Sequence, residues 1–157
     1  MTVRVGQGFD VHAFTDDPSR RLVLGGVEIE GCRGLAGHSD ADVVTHAAAD
    51  ALLGAAGLGD LGYHFPDSDP QWQGASSIGL LETVVAMVQS AGWRIGNVDL
   101  TVITEVPRLA PHVPSMQARL AATIGAPASV KPKRAEGLGA IGRHEGIACL
   151  AVAVIEG

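Results

Sequence analysis

The sequence predicts an α+β fold in which helices pack on one face of a mixed β-sheet, within a single domain that spans residues 1–157. Segments that alternate apolar with small or polar residues, as half-buried strands do, lie near the start and in the middle of the chain, and an apolar run lies near its end. Stretches with the apolar spacing of helices lie between them. The predicted order β, hairpin, α, α, β, α, β, β favours a sandwich of one sheet and one helical layer.

The first elements are a strand and a hairpin. The alternation in residues 3–9 predicts a strand. A Gly-Gly pair between the apolar triplets Leu22–Leu24 and Val27–Ile29 predicts a hairpin with a tight turn. Residues 31–37 are rich in glycine and predict a loop, which separates this hairpin from the first helix.

The first helix has the clearest sequence signal. Ser39 is expected to cap its N-terminus, with Asp42 as the acidic partner in the first turn. An alanine-rich run then extends to about Ala56, and Gly57 is expected to end the helix. The remaining predicted elements are a loop over 62–74, a helix over 76–91, a strand over 97–103, a helix over 115–124, a strand that begins at 130 and a strand over 147–155.

Composition excludes several classes of protein. Hydrophobic residues make up 46% of the chain and charged residues 18%, which is the opposite of the balance in disordered proteins. The formal net charge of −6 argues against a protein that coats nucleic acid or an anionic membrane. No apolar run has the length of a membrane span. Cys32 and Cys149 are too few for a disulfide framework. We therefore expect a reduced cytoplasmic protein without nucleic-acid or membrane partners.

A candidate metal site combines a strand with a helix. Asp10 and His12 are two residues apart, so their side chains leave the same face of the predicted strand. His46 lies on the first helix, and Asp42 or Asp50 is placed to orient its second ring nitrogen. One Asp and two His leave a fourth tetrahedral position open, as in catalytic zinc sites. The alternative is a structural Asp–His pair and an unrelated helical histidine.

Two segments are candidates for phosphate binding. Residues 37–40 precede the first helix, where free backbone N–H groups attract anions and His38 and Ser39 add donors. Residues 131–134 carry three cations in an acidic chain, and Glu136 follows as a candidate ligand for a hard divalent ion. The alternatives are an ordinary capped loop and a solvated strand end.

Taken together, these motifs resemble one family along nearly the whole chain, the 2-C-methyl-D-erythritol 2,4-cyclodiphosphate synthases. The order and spacing of the motifs carry the resemblance. The matching segments are Gly6-x-Gly8-Phe9-Asp10-Val11-His12, Gly37-His38-Ser39-Asp40-Ala41-Asp42 with His46, Asp50-Ala51-Leu52-Leu53-Gly54, Gly59-Asp60-Leu61-Gly62, Phe65-Pro66-Asp67-Ser68-Asp69-Pro70, Asn97-Val98-Asp99, Pro107-Arg108, Glu136-Gly137-Leu138-Gly139 and Gly142-Arg143-x-Glu145-Gly146.

The resemblance implies a homotrimer with active sites between neighbouring subunits, and a lyase of non-mevalonate isoprenoid precursor synthesis. The implied reaction converts 4-diphosphocytidyl-2-C-methyl-D-erythritol 2-phosphate into the cyclic diphosphate and releases CMP. Asp10, His12 and His46 match the family's zinc ligands, and Glu136 matches the ligand of a second ion, Mg²⁺ or Mn²⁺. His38 matches a histidine that helps to stabilise the transition state.

The resemblance also implies a set of substrate contacts. Residues 60–62 and 65–69 match the diphosphate and methylerythritol contacts, and residues 104–110 match the cytidine-binding segment. The full set of expected substrate-binding residues is Asp10, Val11, His12, His38, Ser39, Asp60, Leu61, Gly62, Phe65, Pro66, Asp67, Ser68, Asp69, Thr104, Glu105, Val106, Pro107, Arg108, Leu109, Ala110, Lys133, Arg134, Ala135, Glu136 and Arg143.

Two positions depart from the family pattern. The family commonly shows Lys-Ala-Thr-Thr-Thr-Glu where this chain has Lys131-Pro132-Lys133-Arg134-Ala135-Glu136, so Arg134 replaces the threonine that holds phosphate in the transition state. Because arginine donates to phosphate in a bidentate manner, our hypothesis is that Arg134 and Lys133 take over this contact and that Arg134 is catalytic. Ala140 stands where many members carry a phenylalanine that lines a cavity on the trimer axis.

Two other functions compete with the cyclase. The first is a zinc-dependent phosphohydrolase that uses the open metal position to activate water and does not need cytidine. The second is a diverged protein that binds metal and cytidine nucleotide without turnover, because the segment Lys133–Ala135 has changed. The products formed from the cytidine-diphosphate substrate discriminate among the three.

Overall fold

A computed structural model describes all 157 residues as a four-stranded sheet covered by helices. The strands are β1 (Val3–Ala13), β2 (Leu22–Leu24), β3 (Val27–Ile29), β4 (Arg94–Ile103), β5 (Ala128–Lys133) and β6 (Gly146–Glu156). The helices are α1 (Val43–Ala56), α2 (Leu61–His64), α3 (Ser77–Ser90), α4 (Val113–Ile124) and α5 (Gly139–Gly142), with 3₁₀ turns at Pro70–Trp72 and Ala110–His112. None of the helices combines the length and the apolar composition that a membrane span requires.

The main sheet is mixed, as the sequence predicts. Its strand order is β1-β6-β4-β5; β6 runs antiparallel to both of its neighbours, and β5 runs parallel to β4. The strands β2 and β3 form the predicted hairpin, apart from the main sheet. Burial alternates along β1, so that Gly6, Gly8, Asp10 and His12 share one face and the odd-numbered residues share the other.

The helical layer lies on the face of β1 that carries the glycines. A Cβ atom on Gly6 would lie 2.0 Å from the carbonyl oxygen of Ala51, and one on Gly8 would lie 1.9 Å from that of Ala47. Glycine in the strand and alanine in the helix therefore let the two backbones meet directly. The predicted second helix is confirmed as α3, and its apolar stripe is buried in the core: Leu80, Leu81, Val84, Val85 and Val88.

We expect Gly8→Ala to lower the free energy of unfolding by about 3 kcal/mol, because the new methyl group overpacks the contact between β1 and α1. Gly54→Ala is the matched control on the same pair of elements. A Cβ atom there would approach only the carbonyl oxygen of Gln7, at 3.7 Å. In a helix this change is expected to stabilise by about 0.5–1 kcal/mol. Urea denaturation measures both; equal midpoints for the two variants would contradict the close approach.

Two local predictions are wrong. The N-cap of α1 is Asp42, whose side chain accepts from the backbone N–H of Thr45, and Ser39 lies outside the helix. Ala41 has a φ of 56°, so the chain cannot be helical between Ser39 and Val43. The predicted loop over residues 62–74 contains most of α2 and a 3₁₀ turn. Both are short turns capped by aspartates, whose local hydrogen bonds outweigh a loop-like composition.

Candidate active site

Three metal-ligating side chains meet where β1 packs on α1. Asp10 and His12 leave the helix-facing side of the strand, and His46 lies on the face of α1 that covers it. One oxygen of the Asp10 carboxylate, Oδ2, lies 3.0 Å from Nε2 of His12 and 3.0 Å from Nδ1 of His46. Their potential ligand atoms all lie within 4.8 Å of one another, so the three residues can hold a metal ion.

The orientation of His12 fits a metal ligand. Its Nδ1 lies 2.8 Å from the carbonyl oxygen of Ala36, which can only accept a hydrogen bond. The proton of the neutral ring is therefore on Nδ1, and Nε2 presents a lone pair to the cluster. Nε2 is buried and has no hydrogen-bond partner. An imidazole lone pair, a second imidazole and a carboxylate are a donor set that suits zinc and related divalent ions.

The outer contacts of His46 differ from the sequence prediction. Neither Asp42 nor Asp50 orients its ring: Asp42 binds the backbone N–H groups of Gly25 and Gly26, and Asp50 accepts from the N–H of Leu61. The second ring nitrogen, Nε2, instead lies 2.7 Å from Oγ of Ser77 and 3.3 Å from Oγ of Ser39. Four-residue spacing placed both aspartates near His46 along the helix, but their carboxylates have other partners.

The carboxylate of Asp10 is ionised at neutral pH. Burial raises the pKa of Asp10, but the two histidine rings that face its carboxylate lower it by more, to about 2. Burial likewise lowers the pKa of His12, and the contacts with Asp10 reverse this, so that the net shift is upward. An anionic carboxylate between two imidazoles attracts a cation.

A cavity of about 210 Å³ opens beside the three ligands. It brings several of the predicted substrate residues together with them, from three segments of the chain: His38, Ser39, Leu61, Gly62, Phe65 and Asp67. Gly37, from the predicted phosphate-binding segment, and Asp50 also line this cavity, although neither is in the set of expected substrate-binding residues. Other predicted residues lie outside it: Val11, on the exposed face of the sheet, and Asp60, Pro66, Ser68 and Asp69.

A second cavity, of about 390 Å³, contains the predicted cytidine segment and most of the basic run. It is lined by Thr104, Glu105, Pro107, Arg108, Leu109, Ala110, Pro132, Lys133 and Arg134. Val106, Ala135, Glu136 and Arg143 are outside this lining. The two cavities share no residue, so a single subunit does not bring the metal ligands and the basic run into one pocket.

Arg134 is held by a buried carboxylate. Oε2 of Glu105 accepts from Nε and Nη2 of Arg134, at 3.1 and 2.8 Å, and Oε1 accepts from the backbone N–H of Ala135 at 2.7 Å. The side chain of Glu105 is 2% exposed, whereas that of Arg134 is 67% exposed. The hydrogen bonds from Arg134 lower the pKa of Glu105, and the same contact raises the pKa of Arg134. The carboxylate of Glu105 thus fixes the guanidinium at the rim of the second cavity.

Glu136 lies apart from the cluster of metal ligands. The group of side chains that could hold an ion comprises Asp10, His12 and His46, without Glu136. Glu136 is exposed and adopts a φ of 54°, in the turn that follows Arg134. Arg143 is also exposed and pairs with Glu145 at 2.9 Å. Neither residue lines either cavity.

Known proteins match nearly the whole chain. A family model described as the YgbB family matches residues 3–156. The 2-C-methyl-D-erythritol 2,4-cyclodiphosphate synthase of Ralstonia nicotianae is 56% identical over 158 residues, which cover 99% of this chain and 93% of that protein. The bifunctional enzyme IspD/IspF of Anaeromyxobacter dehalogenans is 53% identical over 156 residues, and the match spans only 40% of that longer protein.

A solved structure shares the fold. The CDP complex of IspF from Plasmodium falciparum superposes with a TM-score of 0.84 and 32% sequence identity. The match covers 98% of this chain and 95% of that one. The agreement therefore extends over the whole arrangement of sheet and helices.

Proposed function

The chain belongs to the YgbB family, together with relatives named 2-C-methyl-D-erythritol 2,4-cyclodiphosphate synthase, and on this premise we propose that it cyclises 4-diphosphocytidyl-2-C-methyl-D-erythritol 2-phosphate and releases CMP. The observation that carries the proposal is the convergence of Asp10, His12 and His46 beside a cavity lined by His38 and Ser39. The resemblance to the family assigns these residues to the metal site and to the substrate-binding loop.

The reaction requires an anion to attack a second anion. An oxygen of the 2-phosphate forms a bond to the β-phosphorus, and the bond from that phosphorus to the oxygen of CMP breaks. Alignment and charge neutralisation are therefore needed more than a protein nucleophile. Zn²⁺ held by Asp10, His12 and His46, and Mg²⁺ or Mn²⁺ held with Glu136, supply Lewis-acid stabilisation of the phosphate oxygens when bound.

The chain's own residues position the two ends of the substrate. His38 and Ser39 lie beside the metal ligands, where they donate hydrogen bonds to phosphate oxygens. The cytidine end occupies the second cavity, which residues 104–105 and 107–110 line and whose volume lies within the usual range for small-molecule sites. The Plasmodium falciparum relative, which is described as a CDP complex, supports nucleotide binding by this fold. Lys133 and Arg134 donate to the phosphates from the rim of this cavity.

A homotrimer would join the two cavities into one site. Two observations support this assembly. The metal ligands and the basic run line separate cavities of one subunit, although the reaction needs both around one diphosphate. The face of the sheet opposite the helices exposes apolar side chains, namely Val3, Val5, Phe9, Val11 and Val152. An exposed apolar surface of this kind is typical of an interface between subunits.

The test is an incubation of the purified protein with Zn²⁺, Mg²⁺ and the cytidine-diphosphate substrate. We expect CMP and the cyclic diphosphate to appear in equal amounts. CMP with a linear product would indicate the phosphohydrolase instead. Bound substrate with neither product would indicate the binding protein without turnover.

We expect Arg134→Ala to lower kcat by about 10-fold to 100-fold, because a hydrogen bond to a charged group contributes about 1.5–3 kcal/mol. Arg21→Ala is the matched control. Arg21 is also paired with a glutamate, Glu28, and its side chain is 73% exposed, but it lines neither cavity. Steady-state release of CMP measures both variants. Equal turnover in Arg134→Ala and the wild type would refute the phosphate contact.

A further inference from the structure

The outer side of His46 is connected to a carboxylate through a serine. Nε2 of His46 lies 2.7 Å from Oγ of Ser77, and this hydroxyl donates in turn to Oδ1 of Asp40. Oδ2 of Asp40 accepts from the backbone N–H of Ser77 at 3.0 Å. Asp40 therefore accepts hydrogen bonds from both the backbone N–H and the hydroxyl of Ser77. These two bonds fix the position of Ser77 at the start of α3.

These contacts determine where the ring proton of His46 lies. An ionised carboxylate only accepts hydrogen bonds, so the single proton of the Ser77 hydroxyl is directed to Asp40. Oγ then presents a lone pair to His46, and the 2.7 Å contact requires a proton on Nε2. Nδ1, which faces Oδ2 of Asp10 at 3.0 Å, is consequently the nitrogen with a lone pair available to a metal ion.

We propose that Ser77 and Asp40 are positioning residues that hold the Nε2–H tautomer of His46 and thereby strengthen metal binding through Nδ1. This inference rests on the proposed metal site. It adds to that site Ser77, which belongs to none of the matching segments, and it gives a role to Asp40, which lies in the segment Gly37–Asp42. Outer contacts of this type fix the ring orientation and raise the basicity of a ligating histidine.

The hydrogen bonds that link His46 to Ser77 and Ser77 to Asp40 form a relay, and burial keeps its geometry precise. The side chains of Ser77 and His46 belong to residues that are 1% and 8% exposed, so water does not compete for their hydrogen bond. Ser39 is a weaker partner, because its Oγ lies 3.3 Å from Nε2 and already accepts from the N–H of Ala41. Ser77 is the partner that the distances favour.

The first test measures zinc affinity by competition with a chromophoric chelator, without nucleotide present. We expect Ser77→Ala to bind Zn²⁺ about 10-fold to 100-fold more weakly than the wild type. Ser76→Ala is the matched control, because it also removes a serine hydroxyl at the start of α3. Oγ of Ser76 accepts only from the N–H of Gly79, at 3.4 Å, and does not touch His46. Its zinc affinity is expected to equal that of the wild type.

The second test locates the ring protons in the zinc-loaded wild type by ¹⁵N–¹H NMR of the histidine side chains. We expect a slowly exchanging proton on Nε2 of His46 and one on Nδ1 of His12, which donates to Ala36. In Ser77→Ala the signal of His46 is expected to disappear by exchange with solvent, while that of His12 persists. The signal of His12 thus serves as an internal check that the variant is folded.

The outcomes separate this proposal from the one it rests on. Absence of zinc binding by the wild type would refute the metal site itself. Equal affinities of the wild type and Ser77→Ala would leave the site in place and overturn the role of Ser77. A proton on Nδ1 of His46 in the zinc-loaded wild type would overturn the relay even if the variant failed to fold.

Discussion

Asp10→Asn is expected to lower kcat by more than about 100-fold while the protein still binds CDP. Loss of an outer contact to a metal ligand already costs about 10-fold to 100-fold in affinity or activity, so loss of the ligand itself costs more. Asp10 is also the only anion in its cluster, and both histidines face its Oδ2. Steady-state release of CMP measures turnover, and calorimetric titration measures the binding of CDP at the second cavity.

Asp16→Asn is the matched control for the loss of one negative charge. Asp16 is an exposed aspartate that pairs with Arg33 and lines neither candidate cavity. Its turnover is expected to equal that of the wild type. If Asp10→Asn retained more than about a tenth of the wild-type kcat, the metal site would not participate in the reaction as proposed.

Assemblies that contain two different variants test whether the active site lies between subunits. Asp10→Asn and Arg134→Ala damage different cavities, which belong to neighbouring subunits if the site lies between them. When the two variants are unfolded, mixed in equal amounts and refolded together, about one quarter of the active sites are expected to be restored. A site is intact only where one subunit supplies Asp10 and its neighbour supplies Arg134. No recovery above the separately refolded variants would place the whole site within one subunit.

Much of the fold and the metal cluster could be predicted from local sequence patterns. Period-two alternation places Asp10 and His12 on one face of β1, and the alanine-rich run of α1 ends at Gly57 as expected. The cluster itself needed more information, because spacing alone does not show that a strand and a helix meet. The resemblance to a family supplied that contact, and the pair Gly6 and Gly8 provides its physical reason.

The contacts that could not be predicted are those made by side chains across the fold. Ser77 reaches His46 over 31 positions, and Glu105 reaches Arg134 over 29. No periodic pattern relates residues at such separations. The choice of N-cap failed for a similar reason. Ser39, Asp40 and Asp42 all favour a cap by type, and tertiary partners decide which of them serves.

The second large effect concerns stability. We expect Asp42→Ala to lower the free energy of unfolding by about 3–5 kcal/mol. Asp42 is completely buried, and its carboxylate accepts from the N–H groups of Gly25 and Gly26 and from both the N–H and the hydroxyl of Thr45. Alanine at this position leaves all of these donors without an acceptor. Urea denaturation at a fixed protein concentration measures the loss.

Comparison with an exposed cap isolates the cause of that loss. Ser76 caps α3 at the surface, so water replaces its hydroxyl in Ser76→Ala, and the expected cost is about 1 kcal/mol. Asp42 differs because it also ties the hairpin of β2 and β3 to the start of α1 through Gly25 and Gly26. Similar losses in the two variants would mean that Asp42 acts only as a helix cap. A loss at least twice as large for Asp42→Ala would assign the excess to the tie between hairpin and helix.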